Sequence, residues 1–267
     1  MSNKLGFIGC GKMAKAIING CLSADFVNNE DILASVRTPE SAQNSQKELN
    51  IQVLTDNKKI VDFANIIFIA TKPNQVEGVL QEIQEKLTNE KLIISLAAGI
   101  SIKKIEQYTN LSPVIRVMPN TPVLVKEGIS ATAKGTYATQ EHENIVQEIL
   151  SKIGKVISVE ESQIDIVTAI SGSGPAFFYQ IFEDMAQAGV KLGLDYDKSL
   201  LLAVQTALGS AKMTFNRTKS VNDLISSVAT KGGCTEVGIN TMKNLKSNDL
   251  FYEIIKNTTQ KAHDLGQ

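Results

Sequence analysis

An apolar run near the start of the chain breaks at once into glycines. Lys4 to Ile8 reads as a short buried strand, and Gly9-Cys10-Gly11-Lys12-Met13-Ala14 leads from it into a helical pattern. This strand-turn-helix has the GxGxxA spacing of a dinucleotide site. Gly9 permits the tight turn, Gly11 lets the backbone approach a pyrophosphate with no side chain in the way, and Ala14 keeps helix and strand close. The phosphates then rest on the helix N-terminus, where unpaired N–H groups and the helix dipole favour negative charge. Gly9, Cys10, Gly11, Lys12 and Met13 are therefore candidate cofactor residues.

Up to about Glu160 the chain alternates short β-branched runs with amphipathic helices, the pattern of a parallel sheet covered on both faces. The expected strands are Lys4 to Ile8, Ile32 to Arg37, Ile66 to Ala70, Leu92 to Leu96, Val114 to Met118, Ile129 to Ala133 and Lys155 to Val159. Helices are expected from Asn74 to Leu87 and from Gln140 to Ile153, each with apolar residues at three- and four-residue spacings. The first half, residues 1–160, thus reads as a Rossmann-like, doubly wound α/β domain.

After Glu160 the strand signals stop, and residues 161–267 read as an all-α domain. Two of its helices are apolar nearly all round: one carries Phe177, Phe178, Ile181, Phe182 and Met185, the next Leu200, Leu201, Leu202, Val204, Leu208 and Phe215. A domain of about a hundred residues has too small a core to cover such helices, so a partner subunit is the expected cover.

In NAD-binding versions of this fold, an Asp or Glu at the end of the second strand takes the ribose hydroxyl. Here that strand ends Ala34-Ser35-Val36-Arg37-Thr38, with no carboxylate. Arg37 between two hydroxyl residues suits the 2′-phosphate of NADP, because a guanidinium forks onto phosphate. Other strand ends close the same edge: Ala70-Thr71-Lys72-Pro73, Leu96-Ala97-Ala98-Gly99, and Met118-Pro119-Asn120-Thr121. These small or kinked segments suit a flat ring lying against backbone, and they make a cleft of that edge.

Other classes are disfavoured. With 27 Lys and Arg against 28 Asp and Glu, the formal net charge of -1 leaves no basic field for nucleic acid. No apolar run approaches the roughly 18 residues of a membrane span, and no leader pattern precedes the first strand. Cys10, Cys21 and Cys234 are far apart, without CxxC spacing, so no metal site is expected and the thiols read as reduced, in a cytoplasmic protein.

The chain resembles the pyrroline-5-carboxylate reductases from its first strand to its C-terminal helices. The resemblance rests on Gly6 to Ala14, Ala70-Thr71-Lys72-Pro73, Val117-Met118-Pro119-Asn120-Thr121, Ser171-Gly172-Ser173-Gly174-Pro175-Ala176 and Gly232-Gly233-Cys234-Thr235. It implies reduction of a cyclic imine to proline and contacts to NADP(H) from Ser35, Arg37, Asn57, Ala70, Thr71, Lys72, Pro73, Ala97 and Ala98. It also implies a substrate site around Glu161, Gly233, Cys234 and Thr235, to which the strand-end residues Met118 and Asn120 are added, and a dimer through the helical domain, often built into a decamer. The family commonly writes Ser-Pro-Gly-Gly-Thr-Thr where this chain has Thr230-Lys231-Gly232-Gly233-Cys234-Thr235, and an Asn where Ser227 stands, so substrate affinity is the property these departures touch.

The local chemistry is compatible with that implication. Gly232 to Thr235 open a helix whose N–H groups could seat a small carboxylate; a Thr-capped helix that binds nothing is the alternative. Ser173-Gly174-Pro175 reads as a further helix start, with Pro at the first helical position. Imine reduction needs little acid–base machinery, since the nitrogen can be protonated before hydride reaches the adjacent carbon, and Thr235 is the candidate hydroxyl for that nitrogen. His142 and His263 read as solvated surface groups, and Lys72 as support for its turn. Two other functions remain open on sequence: an NADP-dependent dehydrogenase of small hydroxy acids, and a non-catalytic NADP-sensing regulator.

Overall fold

The computed structural model describes residues 4–216 and 218–266. The chain alternates β1 (Leu5–Ile8), α1 (Lys12–Ser23), β2 (Ile32–Ser35), α2 (Pro39–Leu49), β3 (Gln52–Leu54), α3 (Asn57–Phe63), β4 (Ile66–Ile69) and α4 (Pro73–Ile83). It continues through β5 (Leu92–Ser95), α5 (Ile102–Glu106), β6 (Val114–Met118), β7 (Gly128–Lys134), α6 (Gln140–Ser151), β8 (Gly154–Ser158) and α7 (Ile164–Val167). These strands form one sheet in the order β3-β2-β1-β4-β5-β6-β7-β8, parallel except between β6 and β7. The strand order reverses direction at β1, which places the first βα turn at the topological switch point where such sheets bind ligands.

β1, β2, β4 and β5 are buried along their whole length, as strands covered on both faces must be. On one face Phe7 and Phe68 stack with ring centroids 4.6 Å apart, beside Ile17, Ile18 and Ile149. On the other, Ile8, Ile67 and Ile69 pack with Ile60, Val76, Leu80 and Ile83. The expected helix from Asn74 to Leu87 is α4 followed by a 3₁₀ turn over Gln84–Lys86. β3 is an addition to the strands expected from sequence: of its three residues only Val53 is buried.

Past β8 the chain is helical: α7 runs into a π turn over Thr168–Gly172, then α8 (Gly174–Lys191), α9 (Tyr196–Phe215), α10 (Val221–Val228), α11 (Cys234–Asn244) and α12 (Ser247–Gly266). The Ser173-Gly174-Pro175 segment is the helix start expected from sequence: α8 begins at Gly174, with Pro175 its second residue, directly after the π turn. The Ser173 N–H donates to Thr168 O at 2.8 Å, and the widened turn accommodates Pro175, which has no N–H to give. By contact the chain divides into two compact units, Met1–Ser173 with Thr258–Gln267, and Gly174–Asn257. In the second unit α8 packs on α9, yet only Gly174, Ala186, Ser199 and Ala203 are buried among its described residues. Leu201, Leu208 and Phe215, seven residues apart on one side of α9, are 68%, 47% and 69% exposed.

His142 departs from the expected free surface group. It completes a capping box at the start of α6, its Nδ1 accepting from the Thr139 N–H at 3.1 Å. The next residue, Glu143, is buried. Its Oε1 accepts from Thr132 Oγ1 and Ser158 Oγ, each at 2.8 Å, and its Oε2 lies 3.3 Å from Lys134 Nζ, so one carboxylate ties β7, β8 and α6 together. Burial alone would raise its pKa, but the hydrogen bonds from Ser158, Thr132 and Lys134, with the Lys134 charge, outweigh it and hold the carboxyl below its ordinary value.

A folded-state pKa below the unfolded one gives stability that is fully present above the unfolded value and is lost as pH falls through the folded one. Glu143→Gln should cost about 1–3 kcal/mol near neutral pH, with the gap to wild type closing in acid below about pH 4. Denaturant melts of both proteins from pH 7 to pH 3 measure this, and a gap independent of pH would contradict it.

Candidate functional site

The site is built around the turn after β1. Gly9 has φ +95°, a conformation that penalises any side chain, and its N–H donates to Ser35 O at 2.9 Å. A Cβ at this position would lie 2.7 Å from Ala70 O. The missing side chain thus lets the ends of β1, β2 and β4 meet. Gly11 differs: it is the N-cap of α1, no side chain caps that terminus, and a Cβ there would meet no atom within 4 Å. Its bareness leaves open space in front of the free N–H groups of α1, including those of Lys12 and Met13.

That space belongs to a cleft of about 750 Å³, lined by Gly9, Cys10, Gly11, Ser35, Arg37, Asn57, Ala70, Thr71 and Lys72 among others. Arg37 and Lys72 are exposed there, and neither has an ion pair among the described residues. Lys72 is the N-cap of α4, with Pro73 as the first residue of that helix. Ser35 is buried and donates to Asn57 Oδ1 at 2.7 Å, while Asn57 Nδ2 donates to Glu82 Oε2 at 2.8 Å. Thr38 caps α2 through the Ser41 N–H. Burial raises the Cys10 thiol, against a Ser45 hydrogen bond and the Lys15 charge that lower it, so this cleft-lining group is neutral.

These residues fit a phosphorylated dinucleotide. An uncapped helix N-terminus faces open space, cations line the same cleft, and the buried Thr71 Oγ1 has no partner among the described residues. The sequence reading missed Lys15, Ser41, Asn44, Ser45, Thr55 and Glu82, which line the same cleft. Part of the signal was present: with Val76, Leu80 and Ile83 turned to the sheet, Gln75, Gly78 and Glu82 fall on the neighbouring stripe of α4.

Farther along the edge, Ala97 is buried and Ala98 exposed in the loop from β5 to α5. Glu161 braces this loop: its Oε1 accepts from the Ile102 N–H at 2.6 Å and from Arg116 Nη1 at 3.2 Å. Arg116 is itself buried, and its Nε has no partner among the described residues. Met118 is buried at the end of β6, its Sδ 3.9 Å from where a Cβ of Gly172 would lie. Asn120 is buried and accepts from the Ile129 N–H at 2.9 Å.

Within the second unit, Gly232 has φ +76° and Gly233 is the N-cap of α11. No side chain caps this helix, so Thr235 is not its cap. Glu236 reaches back instead to the Gly232 N–H at 2.8 Å. Cys234 is exposed and Thr235 half-buried, in the first turn. Among the described residues no group of three His, Cys, Asp or Glu could hold a metal ion, and no helix is long and apolar enough to cross a membrane.

Residues 161–265 match the family described as pyrroline-5-carboxylate reductase dimerisation, and residues 4–99 match that described as NADP oxidoreductase, coenzyme F420-dependent. A pyrroline-5-carboxylate reductase of Methanosarcina acetivorans is 36% identical over 267 residues, covering 100% of this chain and 99% of the relative. Among solved structures, a pyrroline-5-carboxylate reductase of Coxiella burnetii superposes with a TM-score of 0.95 at 30% identity, covering 100% of both chains. The Plasmodium falciparum pyrroline carboxylate reductase, solved with NADP bound, gives 0.87 at 30% identity over 100% of both chains.

The two glycines separate stability from binding. Gly9→Ala should destabilise the fold by about 1–3 kcal/mol, while Gly11→Val should leave the melting temperature within a few degrees and still weaken NADPH binding about tenfold or more. Melting curves and NADPH fluorescence titrations of both variants check this; equal loss of stability in the two would contradict it.

Proposed function

The chain belongs to the pyrroline-5-carboxylate reductase family, and from that premise we infer that it reduces 1-pyrroline-5-carboxylate to L-proline, the last step of proline biosynthesis, as an NADPH-dependent oxidoreductase. The observation that carries this reading is the likeness to reductases along the full length, at 36% identity, in a chain whose first βα turn presents a bare anion seat. The hydroxy-acid dehydrogenase and the sensor receive no support from these relatives.

Bound NADPH supplies the hydride. The N–H groups at the start of α1 hold its pyrophosphate, Arg37 takes the 2′-phosphate, and Asn57, oriented by Ser35, faces the same end of the cleft. Ala70 to Pro73, Ala97 and Ala98 offer backbone and small side chains to the rest of the cofactor. The N–H groups of Gly233, Cys234 and Thr235 grip the substrate carboxylate, and Thr235 Oγ1 accepts a hydrogen bond from the N–H of the protonated imine, which keeps its proton while the C=N bond is aligned for attack at carbon. Glu161 acts as the brace of the Ala97-Ala98 loop, and Met118 and Asn120 close the substrate side. With the nitrogen already protonated, no strong base is called for, in keeping with a chain of two histidines.

Residues 1–160 serve the cofactor and residues 161–267 serve the substrate and self-association, a division supported by family matches at 4–99 and 161–265. The chain oligomerises through its C-terminal helices. We take the unit to be a homodimer, supported by the exposed side of α9, with a decamer of five such pairs as its larger form. Three unpaired cysteines support a reducing, cytoplasmic setting.

The direct test follows NADPH absorbance with pyrroline-5-carboxylate and then with 2-keto acids. Oxidation with the imine alone is expected; oxidation with keto acids alone, or tight NADPH binding without turnover of any substrate, would contradict the reading. Thr235→Ala should lower kcat about a hundredfold, and an enzyme with unchanged kcat and KM would remove Thr235 from its role. Replacing Leu201 and Leu208 together by Lys should give a monomer in sedimentation that still binds NADPH. An unaltered mass would place the interface elsewhere.

A further inference from the structure

The end of β2 lacks the carboxylate that ordinarily takes the ribose hydroxyls of a dinucleotide without the 2′-phosphate. The cleft contains one all the same, brought from another element. Glu82, in the last turn of α4, lines the same cleft as Arg37 and Asn57. It is joined to the end of β2 by a relay: Ser35 Oγ donates to Asn57 Oδ1 at 2.7 Å, and Asn57 Nδ2 donates to Glu82 Oε2 at 2.8 Å. The relay starts from a fully buried hydroxyl at the end of β2, so the amide that meets Glu82 has a defined orientation. The other carboxylate oxygen, Oε1, has no hydrogen bond among the described residues, and Glu82 has no ion pair with Arg37 or Lys72 although all three share the cleft.

A carboxylate so held offers hydrogen-bond acceptors, and in a dinucleotide whose 2′-phosphate would lie at Arg37 the neighbouring donors would be the ribose hydroxyls. It also repels a 2′-phosphate, which Arg37 attracts. We propose that Glu82 is the ribose-reading carboxylate of this cleft, supplied by α4 in place of the one β2 lacks, and that with Arg37 it sets the balance of affinity between NADH and NADPH. The proposal rests on the cofactor reading of the cleft given above and deepens it: Arg37 and Glu82 are opposed determinants of one specificity.

The test is a fluorescence titration of NADH and of NADPH against wild type and Glu82→Gln. Glutamine keeps an acceptor for Asn57 Nδ2 while losing the charge, and Glu82 is an exposed helical residue, so the fold is retained. Affinity for NADH should fall about tenfold, the loss of one charge-assisted hydrogen bond, while that for NADPH holds or rises. An equal fall for both coenzymes would overturn the proposal, since it would make Glu82 a contact to the shared adenine or a prop for Asn57; no change in either would overturn it as well. A wild-type chain that binds neither coenzyme would overturn it together with the cofactor reading. Imine turnover is assayed separately, so a shifted binding ratio without turnover would count against the reductase reading alone.

Discussion

Everything at the cofactor edge depends on how closely three strand ends approach at Gly9. Its N–H reaches the carbonyl of Ser35 at 2.9 Å, and its missing Cβ leaves room for the carbonyl of Ala70. Because those contacts are to backbone, no neighbouring side chain could yield to a larger residue. The same turn aims the first N–H groups of α1 at the cleft and delivers Ser35 and Thr71 to its walls. The geometry of this helix start is a by-product of strand packing, so the bare N-terminus of α1 is set by the sheet behind it.

The helical unit is governed by the opposite condition, a shortage of cover. Its two long helices present Phe178, Tyr179, Leu201, Leu202 and Phe215 to the outside, while only small residues are buried. Apolar surface on that scale stabilises nothing until another surface excludes water from it. Association is therefore part of completing the fold, and it brings the Gly232-to-Thr235 helix start into an assembly rather than an isolated chain.

The doubly wound half was readable because its strands are uniformly apolar and its helices keep a strict period: β1, β2, β4, β5 and β6 all lie where the β-branched runs predicted. β3 was not readable, since Gln52-Val53-Leu54 is a three-residue edge strand with one buried side chain and no alternation to detect. The GxGxxA spacing announced the turn, but not the partners that reach it from α2 and α4, because Ser41, Asn44 and Glu82 lie far from it in the chain and look like ordinary helix-surface residues. Local sequence left a bare anion seat and a threonine cap on α11 equally open; Gly233 takes the cap position and Glu236 reaches back to the loop. The π turn before Pro175 and the Arg116–Glu161 brace depend on tertiary packing, which no short window of sequence encodes.

The account is tested most directly by a crystal structure of the protein with NADPH and L-proline. It predicts the pyrophosphate within about 2.7–3.2 Å of the N–H groups that open α1, with the 2′-phosphoryl group against Arg37. Density showing the pyrophosphate away from that helix start, or the extra phosphoryl pointing from Arg37, would contradict it.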